Sequence, residues 1–179
     1  LTAFHGGRAM LRLGFSRLER ATFGADVDLE YPKLLKHYGD HIDVHTKLYP
    51  GAEAAVERLL AAGYRTAICT NKPEGLAETL VQRLGVRELF GSLIGADTLA
   101  TRKPDAAPYI ACVEQAGGAI EASFLIGDTE TDVKTARAVD VPCVLVSFGP
   151  EGPGIARLTP DAMLNSYEDL DMIAKVLLK

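Results

Sequence analysis

The sequence predicts an α/β fold, a doubly wound parallel-sheet (Rossmann-like) core preceded by a small all-helical unit, and two observations carry that expectation. After the punctuation Tyr49-Pro50-Gly51, short β-rich runs alternate with helical stretches, the texture of parallel strands joined by crossover helices. Before it, apolar residues recur at helical spacing: Phe4, Met10, Leu11, Phe15 and Leu18 on one face, then Leu34, Leu35, Tyr38 and Ile42 on another. The boundary therefore falls near residue 47, with 1–47 helical and 48–179 forming the core.

Within the core the strand candidates are Arg65 to Cys69, Ser92 to Gly95, Ser123 to Ile126, Pro142 to Ser147 and a short run from Ala162 to Leu164. Helices fit between them. Ala52 to Ala62 stops at Gly63, Pro73 is placed to open a helix that runs through Leu84 to Gly85, Ala106 to Gln115 stops near Gly117, and Thr131 to Val139 follows the third strand. Phe148 to Gly154, rich in Gly and Pro, reads as a surface loop.

With 179 residues and 47% of them hydrophobic, the chain has material for one core domain and a small accessory unit. A net charge of -5 argues against a nucleic-acid partner, which needs clustered cations, and no apolar run is long enough to span a membrane. A soluble cytoplasmic protein acting on a small molecule is the expectation. Cys69, Cys112 and Cys143 lack CxxC spacing and read as small core residues.

In open parallel sheets, ligands bind beyond the carboxyl ends of the strands. Thr70-Asn71-Lys72 follows the first strand, Arg102-Lys103-Pro104 lies after the second, and Gly127 to Asp132 follows the third. Each alone reads as a cap or a solvated loop. Together they put a hydroxyl, an amide, a cation and two carboxylates on one rim, the composition of a phosphate and metal site. Thr70 and Asn71 suit phosphate oxygens, Lys103 suits oxygens that gain charge during transfer, and Asp128 and Asp132 are hard oxygen ligands for magnesium.

These segments resemble the haloacid dehalogenase-like phosphatases, in the branch of the phosphoglycolate phosphatases. LYPGAEAAVERLLAAGYRTAICTNKP resembles that family's second motif with its leading helix, RKPDAAPY its third-motif lysine segment, and FLIGDTETDVKTARAV its fourth, acidic motif. The resemblance implies an aspartate nucleophile that forms an aspartyl-phosphate, a second aspartate two residues on as acid and base, magnesium (Mg2+) held by Asp128 and Asp132, and Thr70, Asn71 and Lys103 binding the transferred group. It also implies that the leading helices are part of a cap closing over a small phosphorylated metabolite, with 2-phosphoglycolate the first candidate. Nucleotide and sugar phosphatases, phosphomutases and a non-catalytic binding fragment of the same fold share these motifs and stay open.

The family's first motif, a strand ending in DxDGT, has no counterpart. The triplet Asp26-Val27-Asp28 lies in helical sequence with Leu29-Glu30 where Gly-Thr would stand. In relatives that strand lies between the strands that here end at Cys69 and Ile126, so without it an apolar groove should open. The expectation is a nucleophile upstream of Leu1.

Three weaker signals remain. His5-Gly6-Gly7-Arg8 resembles a cap segment of the phosphoglycolate phosphatases, with Arg8 suited to a substrate carboxylate. His37, His41 and His45 recur every fourth residue, but Gly39 argues against the continuous helix a shared metal would need. Glu130 reads as solvated.

Overall fold

The computed structural model describes residue 2, residues 6–18 and residues 23–178. It divides into two compact units, Leu1–Thr46 and Lys47–Lys179. Of the residues singled out above, Phe4 and His5 lie outside the described ones.

The first unit is a helical pair, α1 (Gly7–Arg17) and α2 (Phe23–Asp40). Gly7 lets them approach closely: a Cβ there would lie 3.0 Å from Leu34 Cδ2. As expected, no continuous helix carries His37, His41 and His45, though Gly39 itself stays helical. The Lys36–Asp40 ion pair, 2.7 Å long, bridges that turn, and the helix ends only at Asp40. The Asp26-Val27-Asp28 triplet sits inside α2 with Val27 buried, a helical setting rather than a strand end.

The second unit runs α3 (Ala52–Ala61), β1 (Ala67–Cys69), α4 (Glu74–Arg83), β2 (Ser92–Ile94), α5 (Ala106–Gln115), β3 (Leu125–Gly127), α6 (Glu130–Ala138), β4 (Cys143–Val146), β5 (Ala162–Leu164) and α7 (Leu170–Leu177). All pairings are parallel: β1 with β2, Cys69 opposite Ile94, and β3-β4-β5, with Gly127 opposite Leu145 and Val146 opposite Leu164.

The period of two along β4 builds the layers. Val144 and Val146 pack with Ala55, Leu59, Leu170 and Ile173 of α3 and α7. Cys143 and Leu145 face the other way, onto Tyr109 of α5 and Ala136 of α6. Helices thus cover both faces, and each fully buried aliphatic side chain contributes about 1.5–3 kcal/mol. Arg58 of α3 donates to Asp171 of α7 at 2.6 Å and ties one layer together.

Several expectations shift, and β1 begins at Ala67 rather than Arg65. β3 begins at Leu125, not Ser123, because Ser123 closes a 3-10 turn, its hydroxyl donating to Ile120 O at 2.7 Å and accepting from the Tyr109 hydroxyl at 2.8 Å. Phe148 to Gly154 is not all loop: a 3-10 helix, Gly152–Leu158, starts within it and buries Ile155 in the core. Cys112 and Cys143 are buried as expected, and Cys69 is half-buried.

Among the described residues the strands form two sheets rather than one. The inner strands β1 and β3 line a common apolar cleft of about 680 Å³, shared with Leu59, Tyr109, Cys112 and Ala174. Ala67 and Ile126, mid-sheet in composition, are exposed there.

Candidate active site

Three strand ends supply the polar rim. After β1 the chain leaves the sheet through Thr70, whose amide donates to Ile94 O at 2.9 Å and whose hydroxyl oxygen accepts from the Lys72 amide at 3.1 Å. That turn leads to Pro73, the N-cap of α4. The turn is held from β2: the Ala96 amide donates to Lys72 O at 2.9 Å, and Asp97 accepts from the Glu74 amide at 2.7 Å. Gly95 allows this approach, since a Cβ there would stand 2.4 Å from Glu74 N.

Asn71 connects the first loop to the second. Its side-chain Nδ2 donates to the main-chain oxygen of Lys103 at 2.9 Å. The Lys103 loop ends at Asp105, which caps α5 by accepting from the Ala107 amide at 2.9 Å.

Lys103 in turn reaches the third loop. Its Nζ donates to Asp132 Oδ1 at 2.7 Å, and the two side chains are only 10% and 6% exposed. The other carboxylate oxygen of Asp132 accepts from the Asp128 amide at 3.2 Å, the Thr129 amide at 3.0 Å and the Thr129 hydroxyl at 2.6 Å. Asp132 is therefore both the partner of Lys103 and half of the capping box at the start of α6. A buried ion pair is tolerable only when further hydrogen bonds support it, and here Oδ2 receives them. Gly127 makes room, for a Cβ there would lie 2.3 Å from Asp132 Cγ.

Asp128 has a different environment. Burial, and then the charge of Asp132, push its carboxyl above the ordinary value, with Lys103 pulling the other way. A cation would relieve that penalty. Among the described residues no group of three or more His, Cys, Asp or Glu is gathered for a metal. The donor set suits Mg2+, which takes one or two carboxylates and completes its shell with substrate oxygens and water. Asp128 would be one ligand, and Asp132, whose Oδ1 accepts from Lys103 and keeps a lone pair, would be the second.

The sequence reading overlooked an aromatic wall. Tyr49, Phe148 and Tyr167 stack in series, with ring centroids 5.1 and 5.2 Å apart. The Tyr167 hydroxyl is pushed up first by burial, then by Tyr49 and Asp128. Gly149, next to Phe148, leaves only 3.3 Å between a would-be Cβ and Asp128 Cβ. The signal was available, since Phe148 follows a strand end, but its Gly and Pro neighbours read as a turn.

The remaining candidates have partners within their own units. Arg8 of the first unit pairs with Asp28, and its guanidinium sits 4.4 Å from the centre of the Tyr31 ring. The His37 and His41 rings lie 4.5 Å apart, with His41 Nδ1 2.9 Å from His37 O. Glu130 is exposed and pairs with Lys134 at 2.9 Å.

A family profile described as haloacid dehalogenase-like hydrolase matches residues 14–146. The chain belongs to this family. Within it, the phosphoglycolate phosphatase of Mesorhizobium japonicum is 35% identical over 166 residues, 93% of this chain and 73% of the relative. That of Agrobacterium fabrum is 34% identical over 165 residues, 92% of this chain and 71% of the relative. Among solved structures, a predicted phosphoglycolate phosphatase from Haemophilus somnus 129PT superposes with a TM-score of 0.83 at 22% identity, covering 93% of this chain and 74% of that one, a likeness of fold. The α/β architecture is thus that of a haloacid dehalogenase-like hydrolase.

Proposed function

We propose that the chain is the greater part of a magnesium-dependent phosphatase that hydrolyses a small phosphate monoester through an aspartyl-phosphate, with 2-phosphoglycolate the first candidate substrate. The supporting observation is the nearly buried Lys103–Asp132 pair, set between the Thr70-Asn71 turn and Asp128 on consecutive strand ends. The names of the relatives support the substrate choice.

Each residue has a part in this reading. The Thr70 oxygen accepts from Lys72, which leaves its proton to donate to a phosphoryl oxygen. Lys103 spends one of its three N–H bonds on Asp132 and keeps two for oxygens that gain charge. Asn71 holds Lys103 through its carbonyl and retains a second amide hydrogen for substrate. Asp128 and Asp132, assisted by substrate oxygens, would hold Mg2+, which when bound neutralises charge on the transferred group. The attacking aspartate is assigned to a segment upstream of Leu1, entering between β1 and β3.

Arg8 is assigned to the substrate carboxylate, for which it must exchange its contact with Asp28. The first unit is read as part of a cap, and the cytoplasm is the proposed compartment. Among the described residues no helix is long and apolar enough to cross a membrane.

Phosphate release from a panel of monoesters, with and without Mg2+, tests the proposal on the intact gene product. Mg2+-dependent release that disappears in Asp128→Ala supports it, and no release from any monoester by folded protein sinks it. Turnover by the 179-residue chain alone would overturn the assignment of the nucleophile to another segment.

A further inference from the structure

The loop that follows β2 grips the start of α4. Its first residues fold back on themselves, with the Gly95 amide donating to the Thr98 hydroxyl oxygen at 2.8 Å. That short turn presents two groups to the neighbouring loop. The Ala96 amide donates to Lys72 O at 2.9 Å, and Asp97 Oδ1 accepts from the Glu74 amide at 2.7 Å. Gly95 lies against the same point, where a side chain would strike Glu74 N.

α4 depends on this outside acceptor. Its N-cap is Pro73, which supplies no side-chain hydrogen bond, and the Glu74 amide has no partner within its own helix. Asp97, 23 positions away in sequence, takes the place of an N-cap side chain. Its negative charge also suits the amino end of a helix.

The segment held in this way carries Thr70 and Asn71. From Thr70 to Glu74 it is fixed to β2 and its loop at three places: the Thr70 amide on Ile94 O, Lys72 O on the Ala96 amide, and the Glu74 amide on Asp97. Between them the Lys72 amide donates to the Thr70 hydroxyl oxygen and orients that hydroxyl. The first two fixings are main-chain contacts, so a substitution at Asp97 releases the third alone.

The geometry points to Asp97 as a positioning residue for the phosphoryl group, acting through the turn that carries Thr70 and Asn71 and not on substrate itself. Because it occupies the first free amide of α4, it also leaves an anion to Thr70 and Asn71 rather than to the helix end. The inference rests on the phosphatase reading and adds to it a residue outside the three motifs.

Thr70 and Asn71 hold phosphoryl oxygens in substrate and transition state alike, so loosening their turn removes uniform binding. In Asp97→Ala of the intact gene product, KM for the best monoester should rise about tenfold while kcat stays within about twofold. Inhibition by inorganic phosphate should weaken in step. A cap that served only the fold would act differently, since a smaller folded fraction lowers apparent kcat and leaves KM alone. Asp97 is exposed, so the substitution is compatible with folding. Asp97→Asn keeps an acceptor for the Glu74 amide and should return KM to within about twofold of the parent. Glu78→Ala frees the same helix from Arg87, 2.8 Å away on a later turn, and should leave KM unmoved.

A parent-like KM in Asp97→Ala overturns the proposal, as does failure of Asp97→Asn to restore it, or an equal rise in KM in Glu78→Ala. If the parent hydrolyses no monoester, the phosphatase reading fails by itself, and calorimetric binding of inorganic phosphate with Mg2+ present decides the role of Asp97. Binding about tenfold weaker in Asp97→Ala then sustains it, and equal binding, or none by the parent, overturns it.

Discussion

Asp132 holds Lys103 at 2.7 Å with one carboxylate oxygen and the first turn of α6 with the other. One side chain therefore fixes both the cation of the rim and the backbone that presents Asp128. The pair is nearly buried, so its removal and its replacement have different consequences.

Lys103→Met leaves Asp132 charged, buried and short of a partner, and should destabilise by about 3–5 kcal/mol. Lys103→Met combined with Asp132→Asn should cost clearly less than the sum of the single changes, because no charge is stranded. Urea unfolding of the two single variants and the double variant measures the coupling, and simple additivity would refute it.

Gly127→Ala should be among the most damaging small substitutions, because its Cβ would fall 2.3 Å from Asp132 Cγ and the capping network must break to admit it. Gly75→Ala in α4, where nothing lies within 4 Å, is the control and should be neutral or stabilising by up to about 1 kcal/mol. Thermal unfolding compares them, and a Gly127→Ala midpoint within a degree of the parent would contradict the packing.

Asp128 makes a metal prediction. Its carboxyl is pushed up by burial and by Asp132, so the native state disfavours the charged form. The sign follows: stability is lost as pH rises above the ordinary carboxylate value through the folded one. At neutral pH without metal, Asp128→Asn should melt higher than the parent. Added Mg2+ should raise the parent and leave the variant unmoved, and an equal Mg2+ shift in both would remove Asp128 from the metal site.

Tyr109 gives a prediction at alkaline pH. Burial pushes its hydroxyl from 10.0 up to about 12. Because the unfolded chain ionises first, stability should be intact below pH 10 and fall between about 10 and 12, by on the order of 1–3 kcal/mol. In Tyr109→Phe that part of the decline should disappear. Circular dichroism melts across the range decide it, and an unchanged alkaline limb would assign the loss to other groups, Cys143 among them.

Much of this arrangement is legible in sequence because its signals are local. Strand ends, a Pro at a helix start and a Gly after a helix stop each act over a few residues, so Ala106–Gln115 and Ala162–Leu164 match their sequence limits. The gathering of Thr70, Asn71, Lys103, Asp128 and Asp132 follows from the topology of a parallel sheet. What local signals do not carry is partner choice. Nothing in Lys103 or Asp132 alone says that they meet, and nothing in Phe148 says that it stacks between Tyr49 and Tyr167. The start of β3 was misplaced for the same reason, since the hydroxyl of Tyr109, fourteen positions away, helps to hold Ser123 in its turn.

Lys103 is gripped at two points, by Asn71 at its carbonyl and by Asp132 at its ammonium. A free lysine side chain gives up about 1.5–2 kcal/mol of rotamer freedom when it is pinned. Here the chain is already a strut when an anion arrives, so that entropic loss is charged to folding and not to affinity. A lysine so braced can answer a displacement of charge of a fraction of an ångström, where a waving one would first have to be caught.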